Sequence, residues 1–435
     1  MTATVRQPLG LKLYRGLSRA AEPVASLALK RRLRAGKEDP DRVGERQGLA
    51  GRERPEGELL WVHGASVGES LSVIPLVRRL QDARPGCSFL VTTGTVTSAR
   101  LMAERLPERA FHQYVPLDHP DFVARFLDHW RPDGAIFVES EFWPNLILAA
   151  RERLRWMALV NGRISPRSFE DWKRQPNAIK YILSSFDVII AQDRQNAERL
   201  AALSAKDVAT LGNLKNAAPP LPADADEFIA LRDAVGARPV WLAASTHPGE
   251  EETVIAAHDL LRADFPDLLT IIAPRHPQRG GDVAALAQGR ALARRSAGET
   301  ITPHTAVYIA DTLGELGLFY RLGEIAFVGG ALTPKGGHNP LEPARLGSAI
   351  LHGPHIFNFT ETYADIRAVG GAALVRNERE LTTAVKRLLA DDVTRRSIAD
   401  AAKAAAEKSA ERVLVDICDA LNATMPLPAP TGPSV

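Results

Sequence analysis

The chain has 435 residues, 45% hydrophobic and 24% charged, which is the make-up of a globular protein of two or three domains at roughly 150 residues each. Its two cysteines, Cys87 and Cys418, sit in no CxxC or histidine-containing pattern, which argues against a disulfide framework and a structural zinc site. The net charge of +2 hides an uneven distribution. Residues 1–35 hold Arg6, Lys12, Arg15, Arg19, Lys30, Arg31, Arg32 and Arg34 against one acid, Glu22, so the rest of the chain is net negative and does not carry the basic stripe of a nucleic-acid enzyme.

In that first segment Leu9, Leu13, Leu17, Ala20, Ala21, Val24, Leu27 and Ala28 recur at helical spacing between the cations. The uncharged stretch from Pro23 to Leu29 is far shorter than the roughly 20 apolar residues a membrane span needs. No small-residue cleavage site follows, as a signal peptide would require. The pattern fits a helix lying in a membrane interface with its basic face toward anionic headgroups, or one packed on the protein's own body. Residues 35–58 are polar and turn-rich and read as a loop or linker.

From Leu59 onward short apolar runs alternate with helical patterns. LLWVHG (59–64), SFLVTT (88–93), FHQYVP (111–116), GAIFVE (134–139), WMALVN (156–161) and DVIIAQ (187–192) predict one series of strands. PVWLAAS (239–245), LLTIIAP (268–274), AVYIAD (306–311), EIAFVGG (324–330) and SAILHG (348–353) predict a second. Strands apolar on both faces imply parallel sheets covered by helices on both sides. The expected fold is therefore α/β, with two Rossmann-like doubly wound domains facing across a cleft, the GT-B plan. The expected divisions are an amphipathic basic segment over 1–35, an N-terminal domain over 36–212, a linker over 213–238 and a C-terminal domain over 239–425. The proline-rich tail, 426–435, reads as disordered.

Five motifs at predicted strand ends carry the chemistry. In HGASVGES (63–70), Ser66 and Glu69 read equally as a capping box and as a carboxylate placed to be a general base. The loop lacks G-K-[ST] and is not a Walker phosphate loop. In VESEFWPN (138–145), Glu139 and Glu141 share a strand face, and one of them caps the helix near Pro144 or both bind hydroxyls. In STHPGEEE (245–252), Pro248 and the three glutamates are accounted for by the start of a helix. APRHPQR (273–279) ends a strand with Arg275, a residue suited to phosphate. In GGALTPKGGHNPLEPA (329–344), Asn339, Pro340, Leu341 and Glu342 read as a helix start, Asn339 being the cap, with Gly336 and Gly337 allowing an anion to approach.

Together HGASVGE, VTTGTVT (91–97), VPLDHPDFVARFL (115–127), VESEFWPN, NGRIS (161–165), GNLK (212–215), STHPGEE, PRH, DTLGELG (311–317) and GGHNPLEPA resemble, in order, the motifs of the Kdo (3-deoxy-D-manno-octulosonic acid) transferase family. The basic N-terminal segment resembles the part of that family that associates with the membrane. The resemblance implies an inverting GT-B glycosyltransferase that moves Kdo from CMP-Kdo to lipid IVA, a lipid A precursor, in lipopolysaccharide biosynthesis. Its place would be the cytoplasmic face of the inner membrane, with no metal and no other cofactor. It implies that Glu69 is the general base and that Glu139 and Lys215 stabilise the transition state. Pro274, Arg275, Leu313, Gly314, Glu315, Asn339, Pro340, Leu341 and Glu342 would hold CMP. Two other readings compete: a GT-B transferase using a UDP-sugar in envelope assembly, distinguished by its nucleotide, and a non-catalytic sugar-nucleotide-binding protein, which would have no need of a base at Glu69.

Overall fold

The computed structural model describes residues 7–140 and 142–426. Glu141, residues 1–6 of the basic segment and the tail from 427 lie outside the described residues. Two parallel seven-stranded sheets dominate. The first contains β1 Leu59–His63, β2 Ser88–Thr93, β3 Ala110–Tyr114, β4 Gly134–Val138, β5 Trp156–Gly162, β6 Val188–Ala191 and β7 Ala209–Thr210, in the order β3-β2-β1-β4-β5-β6-β7. The second contains β8 Val240–Thr246, β9 Leu269–Pro274, β10 Leu292–Arg294, β11 Val307–Ile309, β12 Ile325–Val328, β13 Ala349–His352 and β14 Ala372–Leu374, in the order β10-β11-β9-β8-β12-β13-β14.

Both sheets are covered on both faces. Leu59 and Trp61 enter one buried cluster while Leu60 and Val62 enter another, and Trp241 and Ala243 part from Leu242 and Ala244 in the same way. That alternation is the two-residue period of a strand with helices on each side. In each sheet the winding reverses once, between β1 and β4 and between β8 and β12. Such a reversal opens a crevice at the strands' carboxyl ends, where ligands of doubly wound sheets bind.

By packing, the chain divides into residues 1–219 with 410–435, and residues 220–409. This differs from the division expected from sequence in two places. Within 213–238, Leu231 and Val235 of the helix Ala225–Val235 enter the core of the second unit. At the other end, the helix Asp392–Thr424 begins in the second unit and finishes in the first. There Val413, Ile417 and Leu421, four residues apart, bury one stripe of it. Gly212 makes room for this helix: its φ is 93°, and a Cβ there would stand 2.7 Å from Val413 Cγ2.

The N-terminal segment forms the helices Leu9–Ala20 and Glu22–Arg34. Leu11 packs into the first unit's core, Tyr14 Oη donates to Asp118 at 3.0 Å, and Arg19 pairs with Asp121 at 2.6 Å. Among the described residues no helix is long and apolar enough to cross a membrane.

Candidate functional site

The first unit gathers its charged motif residues at the reversal between β1 and β4. Ser66 and Glu69 form the capping box of the helix Val67–Ala83. The buried Glu69 carboxylate accepts from the Ala65 N–H at 2.7 Å, the Ser66 N–H at 3.3 Å and the Ser66 hydroxyl at 2.7 Å. Glu139 follows β4, is buried, and forms an ion pair with Lys215. It does not cap the helix Pro144–Arg153. That role falls to Asp118, whose carboxylate accepts from Asn145 N–H at 3.3 Å and Leu146 N–H at 2.8 Å.

Lys215 reaches this place because two asparagines fold its loop. Asn161 at the end of β5 accepts from the Leu214 N–H at 2.9 Å, and Asn213 accepts from the Lys215 N–H at 3.0 Å. A Cβ on Gly68 would lie 4.0 Å from Lys215 Cε, so the lysine passes beside the helix that carries Glu69. Glu139, Asn161 and Ser245 have φ of 65°, 56° and 56°. They sit at the ends of β4, β5 and β8 in left-handed backbone, which costs a non-glycine residue about 1 kcal/mol or more and clusters at functional sites. No local pattern in the sequence announces that strain.

The second unit contains a cavity of about 380 Å³ at the ends of β8, β9 and β11. Pro274, Arg275, Leu313, Gly314, Asn339 and Glu342 line it, and so do Ser245, Thr312, His338 and Phe359. Glu315, Pro340 and Leu341 do not. Leu341 is buried in the core, and the Glu315 carboxylate is held by Arg295 at 2.6 Å and by the Thr312 hydroxyl. The Arg295 hydrogen bond keeps Glu315 below the usual carboxylate range. Arg295 also pairs with Glu227 at 2.8 Å, and so ties the Thr312–Glu315 loop to the helix Ala225–Val235. Burial pushes the Glu342 carboxyl up, opposed by Asn339. The helix here runs Leu341–Arg345, with Pro340 at its cap position, one residue later than the sequence suggests. Asn339 still acts as a cap, accepting from the Leu341 N–H at 3.1 Å.

The glutamates of STHPGEEE are more than helix chemistry. Glu250 is fully buried and accepts four backbone N–H groups: His247 at 3.0 Å, Gly330 at 2.7 Å, Ala331 at 2.9 Å and Leu332 at 2.8 Å. It ties the loop after β8 to the loop after β12, and the latter contributes His338 and Asn339 to the cavity wall. Glu251 is equally buried and pairs with Arg279 at 2.6 Å.

Among solved structures the fold is shared with a glycosyltransferase from Rickettsia africae ESF-5, at a TM-score of 0.57 and 11% identity, covering 85% of this chain and 99% of that one. The fold class is GT-B, two parallel doubly wound α/β units. Sequence narrows it further. Residues 41–218 match the family described as 3-deoxy-D-manno-octulosonic-acid transferase (kdotransferase). The chain is 34% identical to the 3-deoxy-D-manno-octulosonic acid transferase of Rickettsia bellii (strain RML369-C) over 381 residues, 87% of this chain and 91% of that one. It is 36% identical to that of Haemophilus influenzae over 371 residues, 83% of this chain and 86% of that one. The chain belongs to the 3-deoxy-D-manno-octulosonic acid transferase family, and Kdo transfer is its reaction.

Proposed function

We propose that the donor is CMP-Kdo, that the acceptor is lipid IVA, and that Glu69 is the general base of an inverting transfer. The observation that carries this reading is the grouping of Glu69 with the Glu139–Lys215 pair at the β1/β4 reversal. In the reaction a primary hydroxyl of the acceptor attacks the anomeric carbon of Kdo. Its proton passes to Glu69 as the bond to the phosphate oxygen breaks and CMP leaves. The anomeric centre becomes oxocarbenium-like, which the Glu139 carboxylate favours, and Lys215 offsets negative charge on the Kdo carboxylate and departing phosphate.

CMP occupies the cavity of the second unit, with Arg275 toward the phosphate and Asn339 and Glu342 toward the ribose hydroxyls. At about 380 Å³ the cavity has the size of a small-molecule site. Arg275→Ala is expected to weaken CMP binding about tenfold or more in calorimetry, since hydrogen bonds to charged groups contribute about 1.5–3 kcal/mol. Unchanged affinity would remove Arg275 from the site.

The membrane reading is supported by what the N-terminal helices leave uncovered. Leu9, Leu13 and Leu17 are 81%, 62% and 60% exposed, and Val24 and Leu27 are exposed too. One face of these helices holds the first unit, leaving this apolar stripe beside a cluster of cations, as a peripheral interfacial helix would. We expect Leu13→Ser with Leu17→Ser to lower co-sedimentation with anionic phospholipid vesicles at least tenfold, at about 1.5 kcal/mol or more per leucine. Undiminished co-sedimentation would place the contact elsewhere.

The reaction itself is tested by incubating the protein with freshly made CMP-Kdo and tetraacylated lipid IVA in detergent, with products read by mass spectrometry. Mass gains in whole Kdo units are expected. No gain with folded protein, followed by turnover of a UDP-sugar, would overturn the donor and acceptor together.

A further inference from the structure

Two imidazoles meet at the reversal of the second sheet. His247 follows β8 and His338 follows β12, and their Nε2 atoms lie 2.9 Å apart with the rings 4° from parallel. At that separation one Nε2 carries a proton and the other accepts it. Protonating both rings would bring two like charges into contact. Burial holds the His338 ring down to about 4, and His247, Arg275 and His276 add to the effect. Burial also lowers His247, against the pull of Glu250, with His276, Lys335 and Arg275 pushing it further. Both rings are therefore neutral near pH 7.

The His338 backbone is well fixed. Its backbone carbonyl accepts from Tyr363 Oη at 3.0 Å, and its N–H donates to the Gly329 carbonyl at 3.2 Å. Gly330, at φ 69°, leaves space for the pair, since a Cβ there would stand 3.1 Å from the His338 ring. His338 lines the cavity together with Arg275, Asn339 and Ser245.

We propose that His338 is a phosphate-binding residue of this cavity and that His247 is its positioning residue, fixing its tautomer through the shared Nε2 proton. This rests on reading the cavity as the nucleotide site. With His247 donating, the neutral His338 ring carries its own proton on Nδ1 and offers one uncharged N–H. A phosphate there meets one charged donor, Arg275, and one neutral donor. A second cation would hold the departing monophosphate more tightly after transfer.

The full chain is titrated with CMP and with cytidine by ligand-observed NMR. His338→Ala is expected to lose about tenfold in CMP affinity while cytidine affinity stays within twofold, and His247→Ala to show a smaller loss of the same phosphate-dependent kind. His338→Gln serves where the alanine variant does not fold. Equal losses for CMP and cytidine would reduce the pair to a support for the loop, and an unchanged CMP affinity would remove His338 from the site. In the wild type, ¹⁵N shifts of the CMP complex should show His338 protonated at Nδ1, and protonation at Nε2 alone would overturn the assignment. Failure of the wild type to bind CMP at all would sink the nucleotide reading itself, and this proposal with it.

Discussion

Glu250→Ala should lower the thermal midpoint of the second unit by about 10 °C. The carboxylate accepts four backbone N–H groups from two loops that are far apart in sequence. Each buried donor left without a partner costs about 1–3 kcal/mol, so a net loss of about 4 kcal/mol remains even if some donors find water. In a unit of this size each kcal/mol moves the midpoint by roughly 2–4 °C. Glu250→Gln is not a conservative change. Each carboxylate oxygen serves two N–H groups, so an amide nitrogen at either place points donors at donors. About half the alanine effect is expected from it. CMP affinity should fall in both variants, because His338 and Asn339 of the cavity wall are carried on the tethered loop after β12. Scanning calorimetry with hydrogen exchange at Gly330 to Leu332 measures this, and a shift below 2 °C would mean that water serves these groups as well as the carboxylate does.

Glu250 also marks where the sequence stops being informative. Its position three residues after His247, at the start of a helix, accounts for an acid locally. Nothing local tells that its partners lie 80 residues away. The same holds for the Arg295 bridge between Glu227 and Glu315, and for the meeting of His247 with His338. By contrast the eleven strands expected from sequence are all present, because nearly all of them bury both faces and so read as apolar runs, β3 with His112 and Gln113 being the exception. The missed strands are β7, β10 and β14, which are AT, LAR and AAL at sheet edges. Two or three residues are too few to show a period. The helix Asp392–Thr424 begins in the second unit and ends in the first. Its return to the first unit is not legible in the sequence, because a stripe of Val413, Ile417 and Leu421 says that a face is buried and not against what. Ser66 and Glu69 read from sequence as cap or catalyst, and the structure contains the cap, which leaves the second role open to it.

Those two roles separate in Glu69→Gln, for which turnover is expected to fall by 10²–10⁴ while the thermal midpoint stays within a few degrees of the wild type. An amide oxygen still accepts from the Ala65 and Ser66 N–H groups, so most of the capping geometry survives. A glutamine is also an accepted partner in a capping box. What is lost is the ability to take a proton, and positioned general bases contribute on the order of 10²–10⁴ in rate. Glu69→Ala removes both functions and should add about 0.5–2 kcal/mol of destabilisation, the usual cost of losing a helix cap. CMP affinity should be unchanged in both variants, because the CMP cavity is lined by residues of the second unit and not by Glu69. Turnover by Glu69→Gln within tenfold of the wild type, with the protein folded and CMP bound, would mean that another group takes the acceptor's proton and that Glu69 serves only the helix.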